Sequence, residues 1–173
     1  MMQRWFGTDG IRAPFGEEPL TRETIRRIGL ALGRSLVSAE RPEPLVLLGG
    51  DTRASSPALL GWLSEGLGAA GARTLDLGTL PTPAVAWAVP RYGAAAGVVA
   101  SASHNPAADN GIKLIDEAGF KWSEAAESAF EARLAETETP PETGAPGASD
   151  GRRADAPEAG ERYLQWLVGE AGG

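Results

Sequence analysis

The chain has no cysteine among its 173 residues, a single histidine and two tyrosines, and its 16 basic residues are outnumbered by 23 acidic ones, a formal charge of −7. Without cysteine there is neither a disulfide framework nor a thiolate metal site, and the redox compartment is left open. The deficit of Lys and Arg argues against nucleic acid as a partner, because such binding relies on clustered cations to neutralise phosphates. No apolar run approaches membrane-spanning length, so a membrane partner is not expected. The N-terminus is polar and Gly-containing rather than basic and then apolar, which is not a secretory signal, and a cytoplasmic location is the simplest reading. The length suffices for one domain that buries roughly two thirds of its unfolded surface.

Strand-like and helix-like pieces alternate along the chain, which predicts an α/β fold. Thr21 is a candidate N-cap for a helix to about Ser38, with Ile25, Ile28, Leu32 and Leu36 at helical spacing. Leu45-Val46-Leu47-Leu48 is short and wholly apolar, as a strand buried on both faces is. Ser56-Pro57 and Thr82-Pro83 read as N-cap and N1 of two further helices, the first stopping near Gly71 and the second near Pro90. A strand around 74–77 lies between them and another ends at Ala100. Ile112 to Ile115 and Phe120-Lys121-Trp122 flank a hairpin turn, and Ser123 caps a helix to about Ala135. The expected sheet is mainly parallel with one antiparallel return. Residues 1–135 are therefore read as one domain. Residues 136–157, rich in Pro, Gly and acidic residues, read as a linker, and the helical pattern of 158–173 as the start of a connecting helix.

The most informative stretch is Ser101-Ala102-Ser103-His104-Asn105-Pro106-Ala107-Ala108-Asp109-Asn110-Gly111-Ile112-Lys113, which gathers a hydroxyl, the one histidine and a lysine just after an apolar strand. Ligands bind at that edge of open α/β sheets. Asn105-Pro106 and Asn110-Gly111 are turn formers that bring Lys113 back toward Ser103. Two chemistries remain open. His104 could activate Ser103, although neighbours in an extended segment point to opposite sides. Alternatively Ser103 could carry a phosphoryl group, whose charge of about −1.5 to −2 needs cations and amides around it. Upstream, Gly7 and Gly10 permit close backbone approach, Arg12 offers a planar fork of donors for phosphate oxygens, and Thr8 adds a hydroxyl. Asp9 could orient Arg12 or cap a turn, and Asp51 with Arg53 is placed to form a structural ion pair at a strand end. Asp109 and Asp116 show no recognisable metal-ligand spacing.

These residues resemble a known family. The Ser-Ala-Ser-His-Asn-Pro loop with Asp-Asn-Gly-Ile-Lys is similar to the phosphoserine loop of the α-D-phosphohexomutases, and looks most like their bacterial glucosamine-phosphate branch. Phe6-Gly7-Thr8-Asp9-Gly10-Ile11-Arg12, Gly49-Gly50-Asp51-Thr52-Arg53 and Leu80-Pro81-Thr82-Pro83-Ala84-Val85-Ala86 are similar to three further family segments, in the same order. The resemblance implies a three-layer α/β/α domain, the first of four, with the other three absent. It implies interconversion of glucosamine 6-phosphate and glucosamine 1-phosphate through a sugar bisphosphate, on the route to UDP-N-acetylglucosamine and cell-wall precursors. It assigns Ser103 as the phosphoserine, His104 and Lys113 as its catalytic neighbours, and Thr8, Arg12, Ser101, Asn105 and Asn110 as contacts to phosphate or substrate. One Mg2+ per site is implied, bound by Ser103 through its phosphate, with the other ligands in the second domain. A homodimer is implied, as is contact with a diadenylate cyclase in some bacteria. The fragment is expected to be inactive alone. The alternatives are a phosphomannomutase or phosphoglucomutase relative, and a noncatalytic partner-binding module.

Overall fold

The computed structural model describes residues 5–7, 9–140 and 153–171. The first helix, α1 (Arg22–Leu36), begins where Thr21 turns extended and its hydroxyl accepts from the Thr24 amide at 3.3 Å. Its buried stripe includes Ile25, Ile28 and Leu32. Helix α2 (Ser56–Ala69) starts one residue before the expected position, with Ser55 as N-cap and Pro57 in the first turn, and presents Leu59, Leu60, Leu63 and Leu67 inward. Helix α3 (Thr82–Arg91) likewise starts after Pro81 and keeps Pro90 inside its last turn. Helix α4 (Glu124–Ala135) is capped by Ser123, whose hydroxyl accepts from the Ala126 amide at 3.2 Å. Helix α5 (Ala159–Ala171) closes the described chain.

The strands are β1 (Phe6–Gly7), β2 (Gly10–Pro14), β3 (Leu45–Gly50), β4 (Arg73–Thr79), β5 (Ala96–Ala100), β6 (Asp109–Ile115) and β7 (Arg153–Asp155). They form one mixed sheet in the order β1-β2-β6-β5-β3-β4-β7. Strand β3 is parallel to β4 and β5, and β4 is parallel to β7. The antiparallel part is larger than one return, because β6 pairs with both β5 and β2, and β2 with β1. The segment Phe6 to Arg12 has turn and phosphate-contact features in sequence, yet its apolar Phe6 and Ile11 add it to the sheet, where Phe6 pairs with Ile11. Within the stretch read as a linker, β7 adds to the edge of β4, and the adjoining Ala156 and Ala159 are buried. Short pairing and two small side chains suffice there, a signal too weak to stand out among Pro and Gly.

Two apolar layers flank the sheet, which makes the three-layer α/β/α domain. On one side α1, α2 and α4 pack Ile25, Ile28, Leu32, Leu59, Leu63 and Phe130 against Val46, Leu48, Val98, Ile112 and Leu114. On the other, Val85, Ala88 and Val89 of α3 cover Leu47, Val99 and Ile115, and Ala159 of α5 joins the same cluster. No helix among the described residues is long and apolar enough to cross a membrane.

Candidate active site

Parallel β3 and β5 end together at Gly50 and Ala100, and antiparallel β6 begins beside them at Asp109. The loops after β3 and β5 therefore share one edge of the sheet. The serine loop, residues 101–108, leaves β5 with the Ser101 amide still bonded to the Gly111 carbonyl at 2.9 Å, and turns at Asn105, whose amide donates to the Ala102 carbonyl at 3.1 Å. Gly111 makes this closeness possible. A Cβ there would lie 2.6 Å from the Ile11 carbonyl oxygen and 2.8 Å from that of Ser101.

Ser103 sits at the tip, exposed, with φ 57°, the one non-glycine residue with positive φ among those described. Its Oγ lies 3.3 Å from His104 Nδ1. This corrects the expectation that chain geometry keeps the two apart: alternation of neighbouring side chains holds for extended backbone, and Ser103 is left-handed. Its own amide donates to the Ser101 hydroxyl at 3.1 Å.

Arg12 and Lys113 share the sheet face opposite the α1/α2 layer, because Arg12 is paired across from Gly111 and Lys113 lies two residues further along β6. Arg12 Nη1 donates to Asn105 Oδ1 at 3.1 Å, and Asn105 Nδ2 to Asp109 Oδ2 at 3.0 Å, so Arg12 is tied to the serine loop. Both cations also meet one carboxylate. Asp9 Oδ2 accepts from Arg12 Nη2 and lies 2.8 Å from Lys113 Nζ. Burial pushes the Asp9 carboxyl up, but Lys113 and then Arg12 outweigh it and hold its pKa below the ordinary value of 3.8. Lys113 lies on the strand that returns antiparallel to β5, and its ion pair is with Asp9. An open cleft lined by Trp5, Gly7, Asp9, Gly10 and Arg12 lies alongside.

Two expected phosphate contacts are placed differently. Asn110 is fully buried, its Nδ2 donating to the hydroxyls of Ser55 at 2.8 Å and Ser56 at 3.2 Å, and its Oδ1 accepting from the Gly111 amide at 2.8 Å. Ser101 is nearly buried and braces the loop between the Ser103 amide and Asp51. Both support the loop from below. Thr8 lies outside the described residues. Among the described residues no group of three or more His, Asp and Glu could hold a metal ion.

The residues whose part was least legible are Asp51 and Arg53. They form the expected ion pair, Arg53 Nε to Asp51 Oδ2 at 3.0 Å. Arg53 also reaches across to the serine loop, donating to the carbonyls of Ser103 at 3.1 Å, Asn105 at 2.9 Å, Pro106 and Asp109 at 3.0 Å. Burial raises the Asp51 carboxyl, yet the Arg53 amide, the Ser56 and Ser101 hydroxyls and the Arg53 guanidinium together bring its pKa below 3.8. The position of Arg53 just past a strand that neighbours β5 was the available signal.

An exposed hydroxyl beside an imidazole, and two cations on one carboxylate of which Arg12 is bonded to the same loop, lie at one edge of an α/β/α sandwich. The phosphoglucomutase/phosphomannomutase alpha/beta/alpha domain I matches residues 3–141, and the chain belongs to this family. It is 43% identical over 166 residues to a phosphoglucosamine mutase of Alkalilimnicola ehrlichii, covering 96% of this chain and 36% of that protein. It is 42% identical over 170 residues to a phosphoglucosamine mutase of Thermus thermophilus, covering 98% and 37%. Among solved structures, a putative phosphomannomutase from Thermus thermophilus superposes with a TM-score of 0.78 at 34% identity, covering 98% of this chain and 37% of that one. The chain thus spans little more than a third of the length of these relatives.

Proposed function

We propose that this chain is the serine-bearing domain of a phosphoglucosamine mutase, with Ser103 as the phosphoryl carrier. The observation that carries this reading is the placement of Ser103: exposed, left-handed, and 3.3 Å from His104 Nδ1. A buried, unstrained serine would be a turn residue. Strain at a loop tip that other contacts hold in place is where function is expected to lie.

In the proposed reaction the Oγ–P bond of phospho-Ser103 breaks as a hydroxyl oxygen of glucosamine 6-phosphate bonds to phosphorus. That hydroxyl loses its proton, and Ser103 Oγ regains one. The resulting bisphosphate reorients, and its other phosphoryl group returns to Ser103. His104 is close enough to handle the proton at Oγ, and Arg12 and Lys113 supply the charge that the phosphoryl oxygens need. Asp9 keeps both cations in place before the anion arrives. Catalysis of this kind rests on positioning and charge neutralisation. Asn105 links Arg12 to the loop, whereas Ser101 and Asn110 hold the loop's shape.

Magnesium, which the resemblance implies, would neutralise phosphoryl oxygens. The described residues do not make a magnesium site by themselves, since Ser103 offers one oxygen through its phosphate. The other ligands are assigned to polypeptide beyond this chain, and no step is derived through the metal. A phosphomannomutase reading is favoured by one observation, the likeness to the putative phosphomannomutase from Thermus thermophilus. Assay of the full-length polypeptide on glucosamine, mannose and glucose 1-phosphates separates the two. Turnover is expected to be fastest on the glucosamine ester, and preference for mannose or glucose would overturn the assignment.

A further inference from the structure

Arg53 comes from a different segment than Ser103, yet its guanidinium is built into the serine loop. Its Nε donates to Asp51, and its Nη1 and Nη2 donate to the carbonyls of Pro106 and Asp109 and of Ser103 and Asn105. A guanidinium has five N–H donors, so all five are engaged. The side chain is 11% exposed. Asp51 is fixed in turn by the Arg53 amide at 3.1 Å and the Ser56 hydroxyl at 2.9 Å.

A cation that gathers carbonyl oxygens on one side of a loop also decides where its amides point. In a trans peptide the C=O and the following N–H are antiparallel. With the Ser103 and Pro106 carbonyls drawn onto Arg53, the N–H groups of His104 and Ala107 are turned away from it. The same grip holds Ser103 at φ 57°, and with it the 3.3 Å approach of Oγ to His104 Nδ1.

We infer that Arg53 is a positioning residue for phosphoryl transfer: it touches no substrate and acts by fixing the serine loop so that Ser103 Oγ and His104 converge on one anionic group. The inference rests on Ser103 being the phosphoryl carrier. A lysine cannot replace this grip, because three donors on one nitrogen cannot reach the Asp51 carboxylate and carbonyls spread over residues 103 to 109.

The test uses Arg53→Lys and Arg53→Ala, with two readouts. Since His104 is the only histidine, histidine-selective 15N labelling gives a ring signal that needs no assignment. Ser103→Ala in the same chain shows how that signal changes when the Ser103 contact is lost, and both Arg53 variants are expected to change it likewise. In the full-length polypeptide, kcat for both variants is expected to fall about 10²-fold, as for a misplacement on the order of 1 Å. KM should stay within about threefold, and added guanidinium ion should restore part of the rate of Arg53→Ala. Wild-type kcat and an unchanged histidine signal in folded Arg53→Lys would overturn the inference, as would a loss explained wholly by unfolded protein. If Arg53→Ala fails to fold, Arg53→Lys decides. If wild-type Ser103 never takes up a phosphoryl group, the carrier reading fails instead, and the histidine signal still reports whether Arg53 sets the loop.

Discussion

The two faces of β6 do different work. Ile112 and Leu114 point into the layer formed with α1, α2 and α4, where they are essentially inaccessible to solvent, whereas Gly111 and Lys113 belong to the other face, on which α3 packs against Ile115 at the end of the strand. Strand β2 repeats the division, with Ile11 fully buried and Arg12 partly open beside Lys113. One pair of antiparallel strands thus anchors the core with alternate residues and places cations with the others. Stability and chemistry can be separated by a single step along the chain.

That separation is open to attack from either side. The largest effect is expected from Ser103→Ala in the full-length polypeptide, where mutase turnover should fall by about 10³-fold or more while the thermal midpoint stays put. A matching drop in stability would mean that the serine loop belongs to the core after all. On the closed face, Leu63→Ala empties a fully buried site of α2 in the core cluster and should cost about 2–5 kcal/mol in urea denaturation. A sensitive probe of the loop itself is Ser103→Gly. Relief of the left-handed backbone should raise stability by about 0.5–1 kcal/mol, net of the entropy that glycine adds to the unfolded chain, while turnover is lost. Stability and activity would then move in opposite directions at one residue.

The smallest effect concerns acid. Asp9 and Asp51 both have folded pKa values below the ordinary 3.8, so their contribution is fully present above that value and is lost as pH falls through the folded pKa. Asp9→Asn should flatten the acid limb of the stability profile by no more than about 1 kcal/mol, since the carboxylate is partly exposed and screened. Asp51→Asn, at the better-covered pair, should flatten it more. Equal slopes in wild type and both variants, followed by urea midpoints across pH, would refute this.

Much of the fold was legible because local signals were strong. Thr21 and Ser123 announce their helices through cap hydroxyls, and the apolar run Leu45 to Leu48 reads as a central strand from composition alone. Strand β7 was not legible, because three residues on a sheet edge carry no periodicity. At the candidate site, the serine, histidine and lysine stand out by their grouping in one short stretch and Arg12 enters through the family resemblance, but their contacts are not legible in the sequence. The approach of Ser103 to His104 depends on one backbone angle, and the sharing of Asp9 by Arg12 and Lys113 depends on strand register. Arg53 stands about fifty residues before the loop that it holds, and only the parallel pairing of β3 with β5 brings them together.

The proposed role of Ser103 as phosphate carrier underlies every activity prediction above. The most direct measurement is intact mass, with fragment mapping, of the full-length polypeptide after treatment with glucosamine 1,6-bisphosphate. A gain of one phosphoryl group is expected, located on Ser103 and absent from Ser103→Ala. An unmodified wild-type protein, or a phosphoryl group on another residue, would contradict it.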